Sequence, residues 1–232
     1  MTETRSFNYD ENPAIVEDFD RLPRMFIPGY DASHNMAAVL LQLSIGDAGH
    51  ILAVGAGGGA ELTRFATTRA DWRFTAVDPS AAMLERAVTR LAKFGAADRL
   101  STHQGTTLDA PDGPFDAATA FLALHFVPDD GQRLAQLKAI HARLKPGAPF
   151  LMINGATDKA STIFNRDLTR YLSHARLNGV EEDFLEQAET MQREMMHFVS
   201  PAREETLLCE AGFSYIACFY KAFWIQGWEA VA

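Results

Sequence analysis

The stretch Ile51-Leu52-Ala53-Val54-Gly55-Ala56-Gly57-Gly58-Gly59-Ala60 constrains the fold of this chain more than any other part of it. An apolar run ends in a turn with four glycines in five positions, and helix formers follow at once. A buried strand, a turn poor in side chains and a helix start, in that order, make a nucleotide-binding turn. The missing side chains let the backbone approach a ligand, and the unpaired N–H groups of the helix N-terminus face it. The same glycines would also serve a merely tight strand-to-helix turn. Asp78 weighs for the ligand, because it ends the next apolar run about twenty residues on, where a carboxylate accepts both hydroxyls of a ribose.

From Gly49 onward, short apolar runs alternate with amphipathic stretches, the pattern of a parallel sheet with crossover helices. Strands are expected over 50–54, 73–78, 100–104, 115–122 and 148–154, with helices over 60–68, 80–94 and 130–144. Leu144-Lys145-Pro146-Gly147 stops the last of these. Upstream, Met36, Val39, Leu40 and Leu43 recur at helical spacing over 30–43, with Asp31 or Ser33 as the cap. Residues 1–30 mix polar and aromatic types and are punctuated by Pro13, Pro23 and Pro28. They read as a short helix and a loop arm whose few apolar anchors leave it marginally ordered without a ligand. Residues 158–198 lose the alternation and read as a helical insertion. Ser200-Pro201 opens a helix, and runs over 213–220 and 222–231 are too close for a crossover, so they pair antiparallel. The expected fold class is α/β, a Rossmann-like, mostly parallel sheet with an antiparallel C-terminal hairpin and a helical insertion. One domain spans 1–232: arm and first helix 1–44, ligand-binding core 45–155, helical lid 158–198, closing helix and strand pair 200–232.

With 47% apolar residues in 232, a single core forms without staples. Cys209 and Cys218 show no metal or disulfide spacing and read as thiols of a reducing compartment. His34, His50, His103, His141, His174 and His197 lack metal-ligand spacing, so no metal is expected. No apolar run approaches the roughly eighteen residues of a membrane span, and the first residues are polar and acidic where a signal peptide is basic and then apolar. The expectation is a cytoplasmic protein without a membrane partner. A net charge of −9 gives no strong nucleic-acid signal and favours a small-molecule partner, although Arg64, Arg69, Arg86 and Arg90 have no obvious partners.

Over roughly 45–155 the residues resemble the class I S-adenosylmethionine-dependent methyltransferases. The family's glycine loop corresponds to Gly55-Ala56-Gly57-Gly58-Gly59 and its acidic strand end to Val77-Asp78-Pro79-Ser80. Met83 corresponds to a residue that lies against the adenine, while Phe115-Asp116 and Leu144-Lys145-Pro146-Gly147 match two further landmarks. The resemblance implies S-adenosylmethionine as cofactor, held by Gly55, Ala56, Gly57, Asp78, Pro79 and Met83, and a methyl acceptor, which the net charge favours as a small molecule. The sequence departs from the family at two points. Ala53 stands where an acidic residue organises the cofactor's methionine end. The acid that reaches the adenine amino group is absent, leaving Thr106 and Thr107 as weaker acceptors.

Phe7-Asn8-Tyr9-Asp10, Ile27-Pro28-Gly29-Tyr30 and Phe223-Trp224-Ile225-Gln226-Gly227-Trp228 are similar to the carboxy-S-adenosylmethionine synthases of tRNA wobble-uridine modification. That group holds the extra carboxylate with an arginine six residues before the Phe of Ala-Gly-Phe. Here Ala211-Gly212-Phe213 is present but the matching residue is Leu207, which cannot pair a charge. Ordinary S-adenosylmethionine is therefore expected, with carboxylated-cofactor synthesis and a non-catalytic relative as alternatives.

Methyl transfer is an in-line displacement, so the protein has mainly to align the reactants and exclude water. Phe121-Leu122-Ala123-Leu124-His125 ends the fourth strand, and carboxyl strand ends face the crevice. Phe121 is thus a cofactor contact, and His125 is either a general base or a histidine packed on its loop. Tyr30 is expected to touch the cofactor, with Tyr9 open between ligand and packing. Met191, Met195, Met196 and Phe198 read as helix core, and also suit an apolar acceptor pocket or a homodimer contact. Asn154 reads equally as a site or a turn residue.

Overall fold

Apolar runs with two-residue alternation place side chains on both faces of a sheet, and each face acquires its own core. In β1 (Ala48–Val54), Ile51 and Ala53 join one apolar cluster while Leu52 and Val54 join the other. The structure is a computed structural model and describes residues 21–232, so the motif at 7–10, Tyr9 included, lies outside the described residues. β1 is flanked by β2 (Asp71–Asp78) and β4 (Ala117–Phe121), and the sheet continues to β3 (Leu100–Gln104) and β5 (Pro149–Gly155), all parallel. Every residue of β4 and β5 is buried, as strands covered on both faces require. β7 (Ile225–Val231) pairs antiparallel with both β5 and β6 (Ser214–Ala222), giving the order β3-β2-β1-β4-β5-β7-β6.

The helices are α1 (Leu22–Phe26), α2 (Tyr30–Ile45), α3 (Ala60–Thr68), α4 (Ala81–Ala92), α5 (Gln132–Arg143), α6 (Thr162–Leu177), α7 (Glu182–Thr190) and α8 (Pro201–Ala211). Ser80 caps α4 by accepting the Met83 N–H at 3.1 Å, and Ser200 caps α8 ahead of Pro201. The cap expected for α2 is corrected: Gly29, at φ 72°, holds that position. Asp31 instead pairs with Arg24 at 3.0 Å, and the Ser33 hydroxyl donates to the Tyr30 carbonyl at 2.7 Å. The fourth strand is shorter than expected, because the Phe115 N–H donates to the Arg143 carbonyl and Leu122, whose N–H makes a last bond to the Ile153 carbonyl, turns to φ 55°. Arg69, without an obvious partner in sequence, bonds Asp47 at 3.0 Å.

The described part of the arm is not the loosely anchored segment expected. Phe26, Ile27 and Tyr30 are buried, and Phe26 packs on Tyr171 of α6 with ring centres 5.1 Å apart. Asn178 donates to the Met25 carbonyl at 2.8 Å, and the Tyr220 hydroxyl donates to the Pro28 carbonyl. Arm and helical insertion therefore meet each other over the strand ends. The insertion closes with a π-helical turn, Met191–Met195, whose exit is held by Lys159 donating to the carbonyls of Arg193 (2.6 Å) and Met196 (2.7 Å).

Gly55 shows why the first loop glycine is needed. Its φ is 61°, and a Cβ there would stand 2.3 Å from the Cβ of Ala123, on the loop after β4. Gly55→Ala should therefore lower stability by about 2–4 kcal/mol, from overpacking together with left-handed strain. A urea midpoint equal to that of wild type would show that the two loops do not touch.

Candidate functional site

The chain runs from β1 outward to β2 and β3 on one side, and to β4 and β5 on the other. The loops after β1 and β4 thus part at the carboxyl ends of the strands, the place where open α/β sheets bind ligands. A cavity of about 890 Å³ lies there, near the upper end of the range for small-ligand sites. Gly55, Ala56 and Gly57 form its floor. The Asp78 carboxylate accepts the Gly57 N–H at 2.8 Å and the Ser80 N–H at 2.9 Å, joining the glycine loop to the start of α4. A carboxylate accepts roughly four hydrogen bonds, so holding the loop is compatible with holding a ribose.

Pro79, Thr106 and Thr107 line the same end, along with Gln104 and Gln136, which the sequence did not single out. The Thr107 hydroxyl donates to Gln136 Oε1 at 3.0 Å, and the Thr106 hydroxyl donates to Asp109 at 2.8 Å. Their donor protons are committed, so towards a ligand they act through lone pairs and Gln136 presents its amide. Met83 is corrected: it is fully buried and does not line the cavity, because it lies on the face of α4 turned to the sheet with Leu84, Ala87 and Leu91.

The other half of the cavity is apolar. Phe121 and Tyr30 stand on either side of His34: Tyr30 meets the imidazole edge-on at 4.4 Å and Phe121 stacks on it at 5.5 Å. Both Tyr30 and Phe121 line the cavity. Leu22 and Phe26 from α1, Tyr171 from α6, Phe184 and Ala188 from α7, and Met191, Met195 and Met196 close the rest. The methionines thus face the cavity, where soft side chains adapt to irregular ligand shapes.

His125 sits on a 3₁₀ turn after β4, buried against Phe126 and Phe198, and lines the cavity. Its Nδ1 accepts the Gly155 N–H at 3.0 Å, and its carbonyl accepts the His197 N–H at 2.8 Å. With Nδ1 occupied as an acceptor, the neutral ring carries its proton on Nε2 and presents a donor. Burial, helped by nearby Arg133, pushes the imidazole down to about 3. This geometry runs against the general-base expectation and matches the packed-histidine one.

The depressed histidines have a consequence for acid stability. His125 (about 3) and His34 (about 4, from burial) fold neutral, while in the unfolded chain each takes up a proton near 6.5. The unfolded state then binds more protons below 6.5, so each contribution is present above that pH and is lost as pH falls toward the folded value. Glu61, raised to about 8, works in the opposite sense above 4.5, and only a difference measurement isolates one group. In His125→Asn, which keeps an acceptor for the Gly155 N–H, stability should depend on pH less steeply by about 1.4 kcal/mol per pH unit between about pH 4 and 6. Parallel profiles would mean that His125 is protonated in the fold.

Glu61 was missed. It is the second residue of α3, lines the cavity beside the glycine loop and is 5% exposed. A charged residue on the helix after a ligand turn was the available signal, but α3 alone reads as amphipathic and gives no reason to turn Glu61 inward. Asn154 is buried in β5 and donates to Glu204 at 3.3 Å, neither a turn residue nor part of the lining. Leu207 is fully buried in the core behind the sheet, with Leu208 and Trp228, and has no contact through which to select a cofactor. Among the described residues no cluster of His, Cys, Asp or Glu is placed to hold a metal, and no helix is long and apolar enough to cross a membrane.

A family model described as a methyltransferase domain matches residues 52–150, from the glycine loop strand to β5. The carboxy-S-adenosyl-L-methionine synthase of Pseudoalteromonas translucida is 25% identical over 223 residues, which are 95% of this chain and 91% of that protein. Among solved structures, an O-methyltransferase family 2 protein from Planctomyces limnophilus in complex with apigenin superposes with a TM-score of 0.67 at 17% identity, over 99% of this chain and 63% of that one. An O-methyltransferase of neocarzinostatin biosynthesis, in complex with S-adenosylmethionine and 2-hydroxy-5-methyl naphthoic acid, gives 0.65 at 19% identity, over 96% and 59%. The chain thus spans about three fifths of the length of these two structures.

Proposed function

We propose, from the premise that this chain is a class I S-adenosylmethionine-dependent methyltransferase, that its acceptor is a small, largely apolar molecule held beneath α6, α7 and the 191–195 turn. The observation that carries this reading is the division of one cavity into a polar end at Asp78 and an apolar end of Phe, Tyr and Met side chains. The aromatic ligands of the two similar O-methyltransferases are of the same chemical kind. A cytoplasmic enzyme accords with Cys209 and Cys218, which are both free thiols.

The polar end fits the cofactor on this chain's own geometry, with a loop where a Cβ has no room and a buried carboxylate organising it. S-adenosylmethionine, when bound, supplies an electrophilic methyl group on a sulfonium. Asp78 and the glycine loop would hold it, with Pro79 and Thr107 beside them. Tyr30 and Phe121 bound the space next to the loop, and the Met-lined wall keeps water from the acceptor, so alignment and exclusion of water are the protein's main contribution. His125 acts here as a positioning residue: it fixes the Gly155 backbone and offers Nε2–H to an acceptor oxygen.

Titration with S-adenosylmethionine, followed by transfer of a labelled methyl group to a panel of hydroxylated aromatics and of small polar acids, tests the proposal. Labelling confined to polar acids would overturn the acceptor class. A second reading, synthesis of the carboxylated cofactor, draws on the near full-length similarity to proteins of that name, and Leu207 does not argue against it from the core. Mass spectrometry of the small molecule that co-purifies with the chain decides between the two.

A further inference from the structure

Glu61 is a carboxylate without a cation. Its only hydrogen bond among the described residues is to its own backbone, in the first turn of α3. Burial and the neighbouring charge of Asp78 push it up to about 8, against the helix N-terminus, which favours the ionised form. A buried acid with no partner costs the fold stability, and a methyl or amide side chain would fill the same place at less cost. The cost is offset if a positive group of a ligand arrives beside it.

The position shows which group that is. α3 follows the glycine loop directly, and side chains of a first turn lean back toward the helix N-terminus, here toward the loop. The loop is bonded to Asp78 through the Gly57 N–H, the charge of Asp78 reaches Glu61, and Asp78, Glu61 and the arm residues Leu22, Phe26 and Tyr30 all line one cavity. A ligand whose ribose meets Asp78 and which crosses the loop toward the arm passes Glu61 with its amino-acid end. Beneath the loop, Ala53 is fully buried in the core and offers no charge. We infer that Glu61 binds the α-ammonium group of the cofactor's methionine moiety, supplying from α3 a carboxylate that β1 does not provide. The inference rests on the cofactor reading above.

Calorimetric titration of the full chain with S-adenosylhomocysteine, and with its deaminated analogue 5′-S-(3-carboxypropyl)-5′-thioadenosine, tests it. Neither ligand carries a sulfonium, so only the ammonium differs between them. Wild type should bind S-adenosylhomocysteine about 10- to 100-fold more tightly than the analogue, and Glu61→Gln should remove that preference while leaving analogue affinity within about twofold. Glu61→Gln preserves volume and replaces a buried acid that has no cationic partner with a neutral amide, so its melting point should be no lower than that of wild type. Equal weakening of both ligands would assign Glu61 a structural role, and no weakening of either would remove it from the site. Loss of affinity for S-adenosylmethionine but not for S-adenosylhomocysteine would point to the sulfonium instead and overturn the assignment. If wild type binds neither S-adenosylmethionine nor these two ligands, the cofactor reading itself falls.

Discussion

Asp78→Ala should weaken S-adenosylmethionine binding by about 10- to 150-fold, the range set by about 1.5–3 kcal/mol for a hydrogen bond to a charged group. The structure adds a second loss. Asp78 accepts the Gly57 N–H and the Ser80 N–H, so its removal frees the glycine loop and loosens the start of α4. Asp78→Asn separates the two contributions. Its amide oxygen still accepts one backbone N–H, while its NH₂ faces the other donor or the ribose. It should recover thermal stability relative to the alanine variant without recovering affinity. Calorimetry on the two folded variants is the check, and unchanged affinity in Asp78→Ala would remove Asp78 from the site.

Arg133→Met should destabilise the fold by about 3–5 kcal/mol, because it leaves the Glu204 carboxylate buried without its partner. Both side chains are fully buried and meet at 2.8 Å between α5 and α8. Burial opposes the charged form of each, raising the carboxyl and lowering the guanidinium, while their attraction opposes that in turn. Arg133 also donates to the carbonyls of Val127 and His197. These two residues line the cavity, so the pair braces the wall that carries His125. The double variant Arg133→Met/Glu204→Leu removes both charges and should regain most of the loss. It should stay below wild type, since unpaired buried carbonyls cost about 1–3 kcal/mol. Urea midpoints of the single and double variants measure this, and equal midpoints would show that the buried charge is not what the single variant suffers from.

Local chemistry made several features legible in the sequence. Helix 60–68 and strand 100–104 fall on the expected residues, since a 3.6-residue or a two-residue apolar period is a property of the segment itself. The loop Gly55–Gly59, the carboxylate at the next strand end, the Ser-Pro start of α8 and the antiparallel closing pair were all readable for the same reason, because backbone conformation there depends on nearest neighbours. Edges were less so: Phe115 left its strand to pair with a helix end 28 positions away in the chain, which no local pattern announces.

The direction in which a side chain faces is a different matter. Met83, His125, Asn154, Glu61 and Leu207 all sit on elements the sequence placed well, yet the roles expected of Met83 and Leu207 were changed, the two readings of His125 were left open by the sequence, Asn154 lost its candidacy, and Glu61 went unnoticed. A helix or strand has several faces, and the one that meets the cavity is chosen by the packing of remote elements. α1 had to settle on α6 before Phe26 and Tyr30 could be buried, and Gly155 had to reach His125 across the sheet before that imidazole lost its acceptor nitrogen. Sequence by itself determined the α/β fold, the glycine turn and the carboxylate that ends the second strand, because short-range periodicity and backbone freedom specify them. Only the tertiary structure decided which acids, which methionines and which histidines line the cavity, because burial and hydrogen-bond partners come from residues far apart in the chain.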